Sequence, residues 1–148
     1  MKFNALVPEL TVTDFENSKS FYTKVVGFKL LYKRPKPKFG FFSLGRAQIM
    51  LEERNGSSKI KGAPKPKKPL GAGINFQIEV KNVDGLLKRI KRSGFAPLAG
   101  PHVAKYKVKG KQIYSKEFFI IDPDGYLLRF LEEIRPPRSG FGNQKSNL

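Results

Sequence analysis

A chain of 148 residues with 39% hydrophobic side chains, 13 Phe among them, is long and apolar enough for one ordinary domain and is not a disordered polymer. It has no run of about 18 apolar residues and no basic-then-apolar leader, so neither a membrane span nor a secretory signal is indicated, and a cytoplasmic protein is expected. The absence of Cys excludes disulfides, thiolate metal sites and cysteine nucleophiles, while a formal charge of +17, well above the usual magnitude of about 2 to 8, attracts anions and discourages cations.

Phe3 to Thr13 reads as extended chain rich in Val, Leu and Thr, with Pro8 marking an edge or bulge. Asp14 then caps a helix on which Phe15, Ser18, Tyr22 and Val25 share helical spacing, and Gly27 is placed to end it in the left-handed conformation. Three strands follow, Phe28 to Arg34, Phe39 to Leu44 and Ala47 to Glu53, the last two joined through Gly45 and Arg46. Residues 54–73 hold three Pro, four Gly and six basic residues with no acid, which predicts a mobile linker. A strand over Ile74 to Val80 leads into a helix capped by Asn82, with Val83, Leu86, Leu87 and Ile90 as its apolar stripe and Gly94 at its end. A hairpin is expected around Lys109 to Lys111. Phe118 to Asp122 then turns through Pro123-Asp124-Gly125 into Tyr126 to Glu132, and a tail from about residue 134 to 148 is expected to be disordered. The turn lacks the later ligands of a calcium loop.

The two halves share a template. Glu9-Leu-Thr-Val-Thr-Asp-Phe-Glu returns as Gln77-Ile-Glu-Val-Lys-Asn-Val-Asp at an offset of 68, Gly27-Phe28 returns as Gly94-Phe95 one residue closer, and Met50-Leu-Glu-Glu53 matches Phe130-Leu-Glu-Glu133 at an offset of 80. One supersecondary unit used twice implies a pseudo-symmetric single domain over residues 1–133, with units of about 3–53 and 74–133 around the 54–73 linker. The fold class is α+β.

The phrases from Val7 to Phe28, from Gly73 to Asp84 and from Ile121 to Phe130 resemble the glyoxalase, bleomycin-resistance and extradiol-dioxygenase superfamily, also called vicinal oxygen chelate. The resemblance implies tandem βαβββ units that curl into half-barrels of mixed sheet with helices outside, often in a homodimer. Metal-dependent members place His, Glu or Gln on the first and last strand of each unit. Carried onto this chain, those positions are Val7, Ile49, Asn75 and Arg129, two aliphatic side chains, an amide and a permanent cation, so no metal and no cofactor is expected. His102 is placed in a loop before the hairpin, away from these strands.

Period-2 alternation puts Leu10, Val12, Phe76, Ile78, Val80, Leu128 and Phe130 against the helices and leaves Glu9, Asn75, Gln77, Glu79 and Arg129 on the concave face. Arg129 is expected to pair with Glu9 or Glu79, while Gln48 falls out of phase with its strand. Phe39, Phe41, Tyr106 and Phe118 are aromatics near the cleft. The candidate ligand-binding set is Glu9, Phe41, Asn75, Gln77, Glu79, Tyr106 and Arg129, with no catalytic residue assigned. These features favour a metal-free binding protein, similar to the bleomycin-resistance branch, that captures a toxic compound; a bleomycin-type antibiotic is one candidate guest. The alternatives are a metal-independent lyase or isomerase with Glu9 or Glu79 as base, and an anion or nucleic-acid binder using the basic loops, which is less favoured because the basic residues are dispersed.

Overall fold

The same unit is built twice, and a computed structural model describes residues 1–54 and 61–136. The first copy comprises β1 (Glu9–Val12), α1 (Phe15–Ser20), β2 (Lys29–Pro35), β3 (Lys38–Leu44) and β4 (Ala47–Glu53). The second comprises β5 (Asn75–Glu79), α2 (Val83–Arg92), β6 (Ala99–Val108), β7 (Lys111–Ile121) and β8 (Leu127–Ile134). The four-stranded sheets have matching orders, β1-β4-β3-β2 and β5-β8-β7-β6, with first and last strands parallel and the other pairs antiparallel. This is the expected α+β tandem βαβββ architecture, with open, curved sheets. Residues 55–60 of the expected linker and 137–148 of the expected tail lie outside the described residues.

Capping explains where the helices start. Asp14 accepts from the Asn17 N–H at 2.9 Å and Asn82 from the Gly85 N–H at 2.8 Å, each satisfying an otherwise orphaned donor of the first turn. A carboxylate from the last strand of each unit meets the helix's first residue, Glu53 on the Phe15 N–H and Glu132 on the Val83 N–H, both at 2.8 Å. Negative charge at a helix N-terminus complements its dipole. After Ser20 the first helix widens into a π-helical segment over Phe21–Val26, and the Gly27 and Phe28 N–H groups both donate to the Tyr22 carbonyl at 2.9 and 2.8 Å. This wider turn takes up the one residue by which the first copy exceeds the second between cap and glycine.

The capping carboxylates correct the sequence alignment of the repeats. Phe15 corresponds to Val83, so Glu53 corresponds to Glu132 and the true offset of the last strands is 79, not 80. The ladders agree, since Leu10 lies beside Leu51 and Ile78 beside Phe130. Ile49 is therefore a core residue opposite Phe42, 5% exposed, and Met50 is the inner-face counterpart of Arg129.

One continuous core joins both units: Leu10, Val12, Tyr22, Leu51, Ile78, Val83, Leu87, Ile90, Phe118 and Phe130 are all buried in it. The Asp122-Pro-Asp-Gly turn ties the units together, as the fold requires of so small a repeat. Asp124 accepts from the Thr13 hydroxyl at 2.6 Å and the Thr13 N–H at 3.1 Å, and Tyr126 donates its phenol to the Thr11 carbonyl at 3.0 Å. Burial, then the nearby Asp122 and Asp124 charges, push the Tyr126 phenol up to about 12. Gly71 packs so tightly on this turn that a Cβ would stand 2.5 Å from the Gly125 carbonyl oxygen.

Asp122 accepts from the Tyr22 phenol at 2.8 Å and from the Asp124 and Tyr126 N–H groups at 2.9 and 2.8 Å. Burial nevertheless raises its carboxyl above the ordinary 3.8, these bonds opposing the shift. A carboxyl raised in the fold contributes stability below its unfolded value that is lost as pH rises through the folded one. Asp122→Asn, which keeps an acceptor for the two N–H groups and stays neutral, is therefore expected to gain stability relative to the parent between pH 3 and pH 7. Urea midpoints of both proteins across that range check it, and a difference independent of pH would contradict it.

Residues 3–8 do not extend β1 as expected. Pro8 has no N–H to continue a ladder, and its carbonyl alone accepts from Met50, at 2.8 Å. With Ile49 in the core, Gln48 falls in phase on the inner face and holds the arm: its amide accepts from the Asn4 N–H at 2.6 Å and donates to the Lys2 carbonyl at 2.8 Å, imitating a strand partner. Gln48→Ala is expected to cost about 1 kcal/mol and to speed amide exchange at Asn4, read by hydrogen-exchange mass spectrometry.

Candidate ligand-binding site

The inner faces of the two sheets differ in kind. On the first, Phe39 and Phe41 are 1% and 2% exposed; Phe3 of the arm meets Phe41 edge-on at 5.1 Å, Tyr32 stacks on it at 5.5 Å, and the Arg34 guanidinium lies 4.0 Å from the Phe39 ring centroid. Glu9 shares this face but is bound to Arg54 at 2.9 Å, and Arg54 also donates to buried Glu52 at 2.7 Å. Aromatic rings and ion pairs thus fill the surface that carries Glu9 and Phe41.

On the second sheet, alternation from buried Ile78, Phe118, Leu128 and Phe130 sends Asn75, Gln77 and Glu79 of β5, Ser115 and Glu117 of β7, and Arg129, Leu131 and Glu133 of β8 to the inner face. Ladder partners on β6 add His102, Ala104, Tyr106 and Val108. An open cup of about 360 Å³ lies here, walled by Val108, Ile113 and Leu131 and reached by Gln77, Glu79, Tyr106, Ser115, Arg129 and Glu133. Asn75 shares the face but does not line the cup.

Tyr106 and Arg129 of the cup belong to a polar network centred on Glu117, which is 3% exposed and does not itself line the cup. Glu117 lies 3.1 Å from His102 Nε2, accepts from the Tyr106 phenol at 3.1 and 3.2 Å, and sits 4.0 Å from Arg129 Nη1. Arg129 also donates to the Gln77 carbonyl oxygen and, at 3.5 Å, to the Tyr106 oxygen. Burial, and then the bond to Glu117, raise the Tyr106 phenol, which therefore stays a donor at neutral pH. Among the described residues two buried side-chain polar atoms have no partner, Ser115 Oγ and Arg129 Nε.

Several expectations are corrected here. Arg129 pairs with Glu117 rather than Glu9 or Glu79, and Glu79 meets Arg46 instead, at 3.1 Å. His102 is not in a loop. It sits on β6, where a shift of register between Ala99 and His102 absorbs the Gly100-Pro101 pair that reads as a strand breaker. Glu117 and Ser115 lay within reach of the sequence, since alternation run back from core-facing Phe118 places both on the inner face.

A family model, the glyoxalase/bleomycin resistance protein/dioxygenase superfamily, matches residues 2–130. The chain belongs to that superfamily. Solved structures of similar fold include an integron cassette protein from the mobile metagenome of V. cholerae (23% identity, 89% of this chain and 97% of that one, TM-score 0.65). Others are a virulence protein from Salmonella typhimurium (20%, 90% and 100%, 0.61) and a lactoylglutathione lyase from Agrobacterium tumefaciens (21%, 88% and 95%, 0.57). No curated protein matches the chain. At these identities the neighbours speak for the fold alone.

The superfamily's metal positions can be tested on this geometry. With the register corrected they fall at Val7, Met50, Asn75 and Arg129: an alkyl group, a thioether suited only to soft ions, an amide, and a guanidinium already engaged by Gln77, Tyr106 and Glu117. Among the described residues no three His, Asp or Glu side chains converge. The residues present do not fit a divalent ion. No helix among the described residues is long and apolar enough to cross a membrane.

Proposed function

We propose that this chain is a metal-independent small-molecule binding protein of the cytoplasm, resembling bleomycin-resistance proteins, that protects by stoichiometric capture of a toxic organic compound. The observation that carries this reading is the cup of about 360 Å³, apolar-walled and lined by Tyr106, Arg129 and Gln77, which the network around Glu117 holds in place. Such a mixture of apolar wall and few convergent polar groups is what small-ligand sites share. The cup is open on one side, and a homodimer would wall it with a second copy. A bleomycin-type cation is a weaker candidate guest than the superfamily suggests, because Glu9 and Glu79, the acids that would attract it, already face Arg54 and Arg46.

A second reading, turnover on the same inner face, is favoured by one observation: buried Glu117 orients His102, beside the cup, as a carboxylate orients a general base. Neither Glu9 nor Glu79, both engaged by Arg, is as well suited to that role. Loss of product formation in His102→Gln with binding retained would establish turnover over capture.

The capture reading is tested with EDTA-treated protein and N-phenyl-1-naphthylamine, a neutral apolar fluorophore. One site per chain is expected, abolished by Val108→Trp, which fills the cup from its half-exposed wall. Absence of binding, or binding indifferent to that substitution, would overturn it, as would stoichiometric zinc, iron or manganese whose removal destroys an activity.

A further inference from the structure

Resting on the capture reading, the two unpartnered polar atoms go further and point to the chemical class of the guest. Ser115 is 4% exposed and its hydroxyl bonds nothing, although Glu133 lies directly across the ladder. Arg129 has both terminal nitrogens engaged, one near Tyr106 and Glu117 and one on Gln77, which leaves the buried Nε as the guanidinium nitrogen without a partner. Both residues line the cup. A buried donor left without an acceptor is rare in folded proteins because each costs about 1–3 kcal/mol. The two stand four residues apart along the ladder, Ser115 opposite Glu133 and Arg129 opposite Phe119, and are accounted for if the guest brings an acceptor to each.

We infer that the cup takes an organic molecule with an apolar ring system bearing sp² oxygen acceptors, carbonyl or carboxylate, one set against Arg129 Nε and another towards Ser115 Oγ. The rest of the cup agrees. Val108, Ile113 and Leu131 supply the apolar wall, and the Tyr106 phenol donates to Glu117 and is not available to the guest. The carboxylates do not select for a cation: Glu117 is buried among three donors, Glu79 faces Arg46, and Glu133 is exposed at the rim, where water screens it.

The experiment is displacement of N-phenyl-1-naphthylamine at physiological salt by three compounds that share one ring system: 2-naphthoate, 2-acetonaphthone and 2-naphthylmethylammonium. At least one of the two oxygen-bearing compounds is expected to compete about tenfold better than the cation, as one added hydrogen bond of roughly 1.4 kcal/mol implies. Success of both identifies a carbonyl as sufficient; success of naphthoate alone identifies a carboxylate. That ratio should shrink to about threefold or less in Arg129→Lys, which keeps a charge for Glu117 while removing the Nε donor, or in Ser115→Ala, according to which of the two the single oxygen-bearing group of these probes meets. Equal competition by all three, or a preference that persists in both variants and so reflects only the field of the +17 chain, would overturn the inference. In either case the fluorophore still binds and Val108→Trp still abolishes it, so the capture reading survives. If the fluorophore itself does not bind, it is the capture reading that fails.

Discussion

Asp124→Ala is expected to lower stability by about 3–5 kcal/mol, the largest effect of any single substitution considered. Asp124 is 6% exposed and holds both the hydroxyl and the N–H of Thr13, with the Ser18 hydroxyl at 3.4 Å. Hydrogen bonds to an ionised acceptor contribute about 1.5–3 kcal/mol each, and truncation also leaves the Thr13 N–H without a partner. A domain of this size has only about 5–15 kcal/mol in hand. The contact is also the seam between the copies, joining the turn before β8 to the end of β1, so its loss exposes apolar surface that neither unit covers alone. The urea midpoint should fall with an unchanged slope. Asp124→Asn, which keeps one acceptor, should lose about half as much. A loss below about 1 kcal/mol for the alanine variant would contradict the clamp.

Glu117→Leu is expected to cost about 2–4 kcal/mol. It leaves Arg129, with a side chain only 23% exposed, without its carboxylate, and deprives His102 and Tyr106 of their acceptor. Removing one partner of a buried charge pair is expensive because the other stays desolvated; the estimate is lowered here because water reaches part of the guanidinium and the pair is long, at 4.0 Å. The double variant Glu117→Leu with Arg129→Leu should recover much of the loss, giving a coupling energy above about 1 kcal/mol. Strict additivity of the two single effects would mean that Glu117 does not organise the cup. The same variant should also weaken binding of N-phenyl-1-naphthylamine, since Tyr106 and Arg129 lose their fixed positions.

How much of this was legible follows from which contacts are local. Asp14, Gly27 and Asn82 act within one helical turn, so the residues alone place the helix ends, and the one-residue difference between the copies reappears as the π-helical segment before Gly27. Alternation placed Gln77 and Arg129 on one face because both strands are half-buried and strictly pleated. The shared Leu-Glu-Glu tripeptide misled by one position, and one residue in a strand exchanges core for cup; the roles of Glu53 and Glu132, both at helix starts, and the strand ladders reveal the register. Gly100-Pro101 concealed β6 and with it His102, because a bulge lets a strand carry residues that otherwise end it. Phe41, expected near the cleft, is buried by the arm and β2 beneath Phe3 and Tyr32, contacts that no local pattern encodes. The choice of Glu117 over Glu9 or Glu79 as the partner of Arg129 likewise depends on which strands become neighbours.

The most direct test is native mass spectrometry of the purified protein with N-phenyl-1-naphthylamine, before and after EDTA, alongside elemental analysis. The account predicts one organic adduct per chain that persists unchanged after chelation, with no metal at stoichiometric level. A divalent ion bound one per chain, whose removal releases the adduct, would contradict it.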